Sequence, residues 1–154
     1  MFGKLKKILG VEGVKLELRL PEVIDSESGT LSGTLHFYSM NTQRVTRVEI
    51  VFKEKYKRGR GKDKLIDEYE LGRIELDKNL LIEKDESAEL DFDIPFRIYK
   101  SRMDKFEEKN FLSKRLAKLA KFAKNVRSVY TVEAKANVEG TVLHPIVSKQ
   151  VKVR

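Results

Sequence analysis

The sequence predicts a mainly β fold, two antiparallel sheets packed face to face, with one basic amphipathic helix inserted between strands. Three observations carry this expectation. Apolar and polar residues alternate strictly in stretch after stretch, the period of a strand with one buried and one wet face. Turn residues separate these stretches, without the strand–helix alternation that builds parallel sheets. One stretch, residues 101–127, abandons the two-residue period for that of a helix. Two antiparallel sheets, each with one apolar face, bury those faces best against each other.

The first strand is Val14–Leu20, with Val14, Leu16, Leu18 and Leu20 on one side and Lys15, Glu17 and Arg19 on the other. Pro21 cannot donate to a ladder and closes it. After the turn cluster Asp25–Gly29, Thr30–Tyr38 places Leu31, Gly33, Leu35 and Phe37 together. Asn41–Gln43 forms a loop, and Val45–Tyr56 then alternates again with Val48, Ile50 and Phe52 inward. The tip Lys57–Asp63 holds two glycines among charges, as a solvated hairpin loop requires. A return strand is expected at Leu65–Leu71 and a separate short one at Arg73–Leu76. The charged turn Glu83–Glu86 leads into Ala88–Ile94, with Leu90, Phe92 and Ile94 inward, and Pro95 closes that strand. Val129–Gly140 puts Tyr130, Val132, Ala134, Ala136 and Val138 on one face, and Ile146–Val153 is the last strand.

The chain of 154 residues suits a single domain. A domain of that size buries roughly 68–70% of its unfolded surface, enough for a core without staples. Cysteine is absent, which removes disulfides, thiolate nucleophiles and cysteine-ligated metals together. No apolar run approaches the ~20 residues that cross a bilayer. Met1–Gly10 is too short and too charged for a secretory core. A cytoplasmic location is expected.

The net charge is +8, and its distribution is uneven. Between Lys100 and Arg127 ten basic residues face three acids, a local excess of +7. On a helical wheel Leu112, Leu116, Leu119, Ala120, Ala123 and Val126 form one stripe, with Lys114, Lys118, Lys121 and Lys124 opposite. Phe111 and Phe122 border the two. One reading docks the stripe on a sheet and leaves the lysines in water. The other turns Phe111, Lys114, Arg115, Lys118, Lys121, Phe122 and Lys124 toward a partner, an anionic lipid surface or, as a variant, acidic protein or nucleic acid. Phe2, Leu5, Ile8 and Leu9 repeat the theme in a short amphipathic stretch, residues 1–10, marginal as an isolated helix. Phe2 and Leu5 are accordingly weaker contact candidates, as are Arg58 and Arg60 of the hairpin tip.

Chemistry finds few carriers. The two histidines, His36 and His144, stand far apart, one outward on a strand and one before Pro145 in a turn. No catalytic residues, metal ligands or cofactor are expected: the zinc-ligand set is too small, and phosphate-binding loops and nucleophile elbows are absent. The carboxylates interleave with lysines or cluster in turns, as on solvated strands. The tip Arg58–Lys62 lacks the interleaved aromatics of a nucleic-acid platform, so nucleic acid is not an expected partner.

The order of segments resembles a known family. An opening strand precedes Ser28–Leu35, then come Val45–Tyr56, a strand closing on Ile94–Phe96, Tyr130–Ala134 running to Gly140, and the lysine-rich ending Ser148–Val153. This is similar to the N-terminal immunoglobulin-like sandwich of the arrestin-like superfamily, particularly its bacterial sporulation-control branch. That branch often also opens with a Phe/Lys/Leu stretch like residues 1–10. The resemblance covers about residues 1–99 and 128–153. It implies a non-enzymatic scaffold or adaptor whose sheets and loops recognise other proteins. Members usually join two sandwiches, where this length holds one, and the 101–127 segment replaces a plain connection. No family contact motif matches positions here, so no binding residues carry over.

Two functional expectations follow. The first is an interaction domain for unidentified protein partners, including self-association by edge-strand pairing, with Val45–Tyr56 as the expected edge. The second is a peripheral protein that binds an anionic membrane surface through its basic helix.

Overall fold

The computed structural model describes residues 13–59, 65–98, 127–142 and 144–154. In them lie eight strands: β1 (Lys15–Arg19), β2 (Val23–Ile24), β3 (Thr30–Tyr38), β4 (Gln43–Arg58), β5 (Leu65–Ile82), β6 (Ser87–Pro95), β7 (Arg127–Val138) and β8 (Ile146–Val153). They form a smaller sheet in the order β1-β3-β6 and a larger one in the order β2-β8-β7-β4-β5. Every pairing is antiparallel except that of β2 with β8. The expected helix at 101–127 lies outside the described residues but for Arg127, the first residue of β7.

The alternation builds the core as expected. Leu18, Leu31, Leu35, Phe37, Phe92 and Ile94 of the smaller sheet meet Val45, Val48, Ile50, Phe52, Val132, Ala134, Ala136 and Val151 of the larger one, all buried. Fully burying each large side chain among them contributes about 1.5–3 kcal/mol.

β3 and β8 have the expected bounds, but the return arm does not. The two strands expected at Leu65–Leu71 and Arg73–Leu76 are one strand of 18 residues, β5. The cause is a bulge: Phe52 opposes Gly72 and Lys53 opposes Glu70, so Leu71 has no opposite number. One extra residue reverses the phase of the alternation, and in the sequence that reversal mimics a break. The two-residue strand β2 carries too short a pattern to be foreseen.

The two sheets close on each other at this bulge. A Cβ on Gly72 would lie 2.8 Å from Ile94 Cγ2 and closer still to the Pro95 carbonyl, so only glycine admits the end of β6. Phe96 stacks edge-on against Phe52, centroids 5.1 Å apart, and Arg97 N donates to the Leu71 carbonyl at 3.2 Å. The smaller sheet ends here, with Thr30 of β3 paired to Pro95 of β6. Past the Phe52 row and its bulge, β4, β5 and β7 run on in continuous register from Lys53 to Lys57, as a three-stranded overhang.

Candidate interaction surface

The outer face of the smaller sheet is a self-paired polar surface. Across it run the rows Glu17–His36–Glu89 and Arg19–Thr34–Asp91. Arg19 Nη1 donates to Glu89 at 3.0 Å, Thr34 Oγ1 donates to Asp91 at 2.7 Å, and Ser32 donates to Asp93. His36 is half-buried between two glutamates. His144 caps a turn, its Nδ1 accepting from Val138 N at 3.3 Å. Among the described residues no group of three or more His, Asp or Glu side chains is arranged to hold a metal ion.

The outer face of the larger sheet is a lattice of opposite charges. Arg73 pairs with Glu49 and Glu70, Arg47 with Glu75 at 2.5 Å, and Lys53 with Glu68 at 3.2 Å and Glu133 at 3.7 Å. Burial pulls Lys53 down, but its hydrogen bonds to these two glutamates and their charges outweigh this, holding its pKa above the ordinary lysine value. Val51 points outward yet is buried between its cross-strand neighbours Arg73 and Glu133, as the aliphatic stems of long charged side chains allow. Each exposed pair contributes about 0–1 kcal/mol. Together they leave this face with neither sign in excess over most of its area.

The sheet edges differ sharply. Val45–Tyr56, the expected edge, is not one: β4 lies inside the larger sheet, between β7 and β5. Its length reflects two partners rather than none, since a strand paired on both sides needs unbroken β-formers. The β1 edge is met by β8, where Lys149 Nζ reaches the Leu18 carbonyl at 3.5 Å. The β6 edge carries Glu89, Asp91 and Asp93 at alternate positions, charges that discourage strand addition.

β5 is the long edge of the larger sheet. Arg97 covers it at Leu71, while Leu65, Ile66, Tyr69 and Leu81 along it are exposed by 44–56%. No spacing rule singled it out, because the bulge divided it into two short pieces.

The inner face of the overhang is of another kind. Beyond Phe52 the inward positions are Glu54 and Tyr56 on β4, Tyr69 and Asp67 opposite on β5, and Tyr130 and Ser128 opposite on β7. Tyr130 lies tilted against Phe52, centroids 6.3 Å apart. Glu54 is only 3% exposed.

With this geometry in place, comparison with known proteins is informative at the level of fold. No protein family matches the chain by sequence, and no curated protein does. Among solved structures, a match covers 92% of this chain with a TM-score of 0.61 at 10% identity. It is the crystal structure of Spo0M, a sporulation control protein from Bacillus subtilis. The chain resembles Spo0M in fold. It spans about half of the Spo0M chain, 49%. The resemblance to a sporulation-control protein, expected from strand signatures, is thus present at the level of the fold.

Of the contact candidates, Phe111, Lys114, Arg115, Lys118, Lys121, Phe122 and Lys124 lie outside the described residues, as do Phe2, Leu5 and Arg60. Arg58 is the last residue of β4, in register with Leu65. Neither the β5 edge nor the acidic inward positions beyond Phe52 stand out by charge or motif in the sequence. Alternation marks which side of a strand is wet, but not whether a neighbour lies alongside it.

Proposed function

We propose that this chain is a non-enzymatic adaptor domain with a regulatory role, and that the open edge of β5 receives its protein partners. The observation that carries the reading is the edge itself. β5 is 18 residues long, borders the larger sheet, and exposes Leu65, Ile66, Tyr69 and Leu81. An edge strand offers unpaired backbone groups to an added strand, and neighbouring apolar side chains give that strand its specificity. The fold likeness to Spo0M, a sporulation control protein, supports a regulatory role. A second copy of the chain is one such partner.

The test is affinity capture with the full chain, set beside capture with the variant Leu65→Lys/Ile66→Lys/Leu81→Lys. These positions are exposed, so the fold should tolerate the changes. Proteins retained by the wild type and lost from the variant, then shown to bind when purified, support the reading. Identical retention by both sinks it. Light scattering over a concentration series distinguishes self-association from a foreign partner.

A second reading has one observation in its favour. At the hairpin tip Ile66, Lys57 and Arg127 form a row across the outer face, and exposed Leu65 adjoins it. Cations beside apolar residues are the composition of a contact with anionic lipid. Co-sedimentation with anionic but not neutral vesicles, weakened by Lys57→Glu and by salt, is the outcome it requires. Equal behaviour with both lipids removes it.

A further inference from the structure

The β5 edge is not uniform. At Leu71 its carbonyl accepts from Arg97 N at 3.2 Å, and this contact divides the edge into two stretches. Arg73–Ile82 balances two bases, Arg73 and Lys78, against two acids, Glu75 and Asp77. Leu65–Glu70 carries three acids, Asp67, Glu68 and Glu70, and no base, in a chain whose net charge is +8. Leu65, Ile66 and Tyr69 are exposed among those acids.

On the outer face Lys53, Lys55 and Lys57 form a column on β4, opposed on β5 by Glu70, Glu68 and Ile66. The lysine column has a strand on each side: Lys53 reaches Glu68 on β5 at 3.2 Å and Glu133 on β7 at 3.7 Å. The glutamate column has a strand on one side only among the described residues, and the side chains of Glu68 and Glu70 stay about half exposed. A strand laid along β5 lies about 4.8 Å from it and about twice as far from β4, so it meets the acids before the lysines. Opposite charges directly across two strands attract, and like charges destabilise the pairing. The same stretch of a second copy is therefore a poor occupant. Antiparallel pairing of two copies centred anywhere from Asp67 to Tyr69 sets a carboxylate opposite a carboxylate.

We infer that Leu65–Glu70 receives an extended segment of a different protein, one that alternates lysine or arginine with apolar residues. The basic side chains stand beside Glu68 and Glu70 on the outer face, and the apolar ones beside Leu65 and Tyr69 on the other. This rests on the proposal that β5 is the receiving edge, and it names the chemistry of what that edge receives.

The experiment titrates the full chain with three short labelled peptides that alternate valine with lysine, with glutamate or with threonine. Fluorescence anisotropy reads affinity, and amide hydrogen exchange reads the place of binding. The lysine peptide should bind most tightly, protect Leu65–Glu70, and weaken as salt rises. Glu68→Lys/Glu70→Lys should lower its affinity by about tenfold, the order expected for two cross-strand charge pairs, and raise that of the glutamate peptide. Both positions are exposed, and Glu68→Gln/Glu70→Gln serves if the reversal disturbs the fold. Equal protection of Leu65–Glu70 by all three peptides, or the strongest by the glutamate peptide, overturns the basic partner and leaves β5 as the receiving edge. An affinity for the lysine peptide that neither variant changes overturns it too. No protection of these amides by any peptide overturns the inference and counts against the β5 edge itself.

Discussion

Two halves of one strand perform different tasks. In β4, Val48, Ile50 and Phe52 point inward under the smaller sheet and are fully buried. Two and four residues further on, Glu54 and Tyr56 point the same way, past the end of that sheet. The backbone register to β7 continues without interruption from Arg47 to Lys57, so the strand itself does not change. What changes is the layer beneath it, and with that layer the side-chain chemistry. A covered inward face is apolar, whereas the overhanging one is acidic and aromatic. The smaller sheet therefore sets where the apolar core stops and where a polar inward face begins.

The largest effect that separates the halves is on stability. Ile50→Ala empties a fully buried site and should cost about 2–5 kcal/mol. Ile66→Ala in the overhang should stay within about 0.5 kcal/mol. Urea unfolding of the two variants measures the contrast, and similar losses would mean that the overhang is part of the core.

Gly72→Ala acts at the boundary. The added methyl collides with Ile94 and the Pro95 carbonyl, and forcing it in should cost about 1–3 kcal/mol. A lowered thermal midpoint is the expected result. An unchanged midpoint would show that the sheets are free to part at this end.

Smaller still is Arg73→Ala, which removes the centre of the charge lattice. Its pairs are exposed, so the loss should be below about 1 kcal/mol and should shrink with added salt.

The smallest effect is that of pH on Lys53, at the root of the overhang. Its folded pKa is raised above the ordinary lysine value of 10.5. Protonation therefore favours the folded state, and this contribution is present in full below the unfolded pKa. It is lost as pH rises through the folded pKa. A stability profile on the alkaline side should fall more steeply for the wild type than for Lys53→Met, and parallel profiles would remove the assignment.

Most of the sandwich was legible because burial on one side imposes a period of two. Thr30–Tyr38 has the bounds its alternation predicts, and β8 falls where a strand at about Ile146–Val153 is expected. Leu65–Ile82 was not, because the bulge at Leu71 reverses the phase of the pattern in the middle of the strand. The order of strands within the sheets left no such mark. Val45–Tyr56, long and with few breakers, therefore looks like an edge in the sequence although it has neighbours on both sides. Nothing in the sequence sets Glu54 apart from the charged residues around it. Only the end of the smaller sheet shows that it faces inward, buried, and beyond the apolar core.

The claim that β5 is the receiving edge is tested most directly by amide hydrogen exchange, with and without a partner obtained by capture. Added protection concentrated in Leu65–Ile82, with β6 and the outer face of the smaller sheet unchanged, is the predicted result. Protection that appears elsewhere while the amides of β5 exchange as before would contradict it.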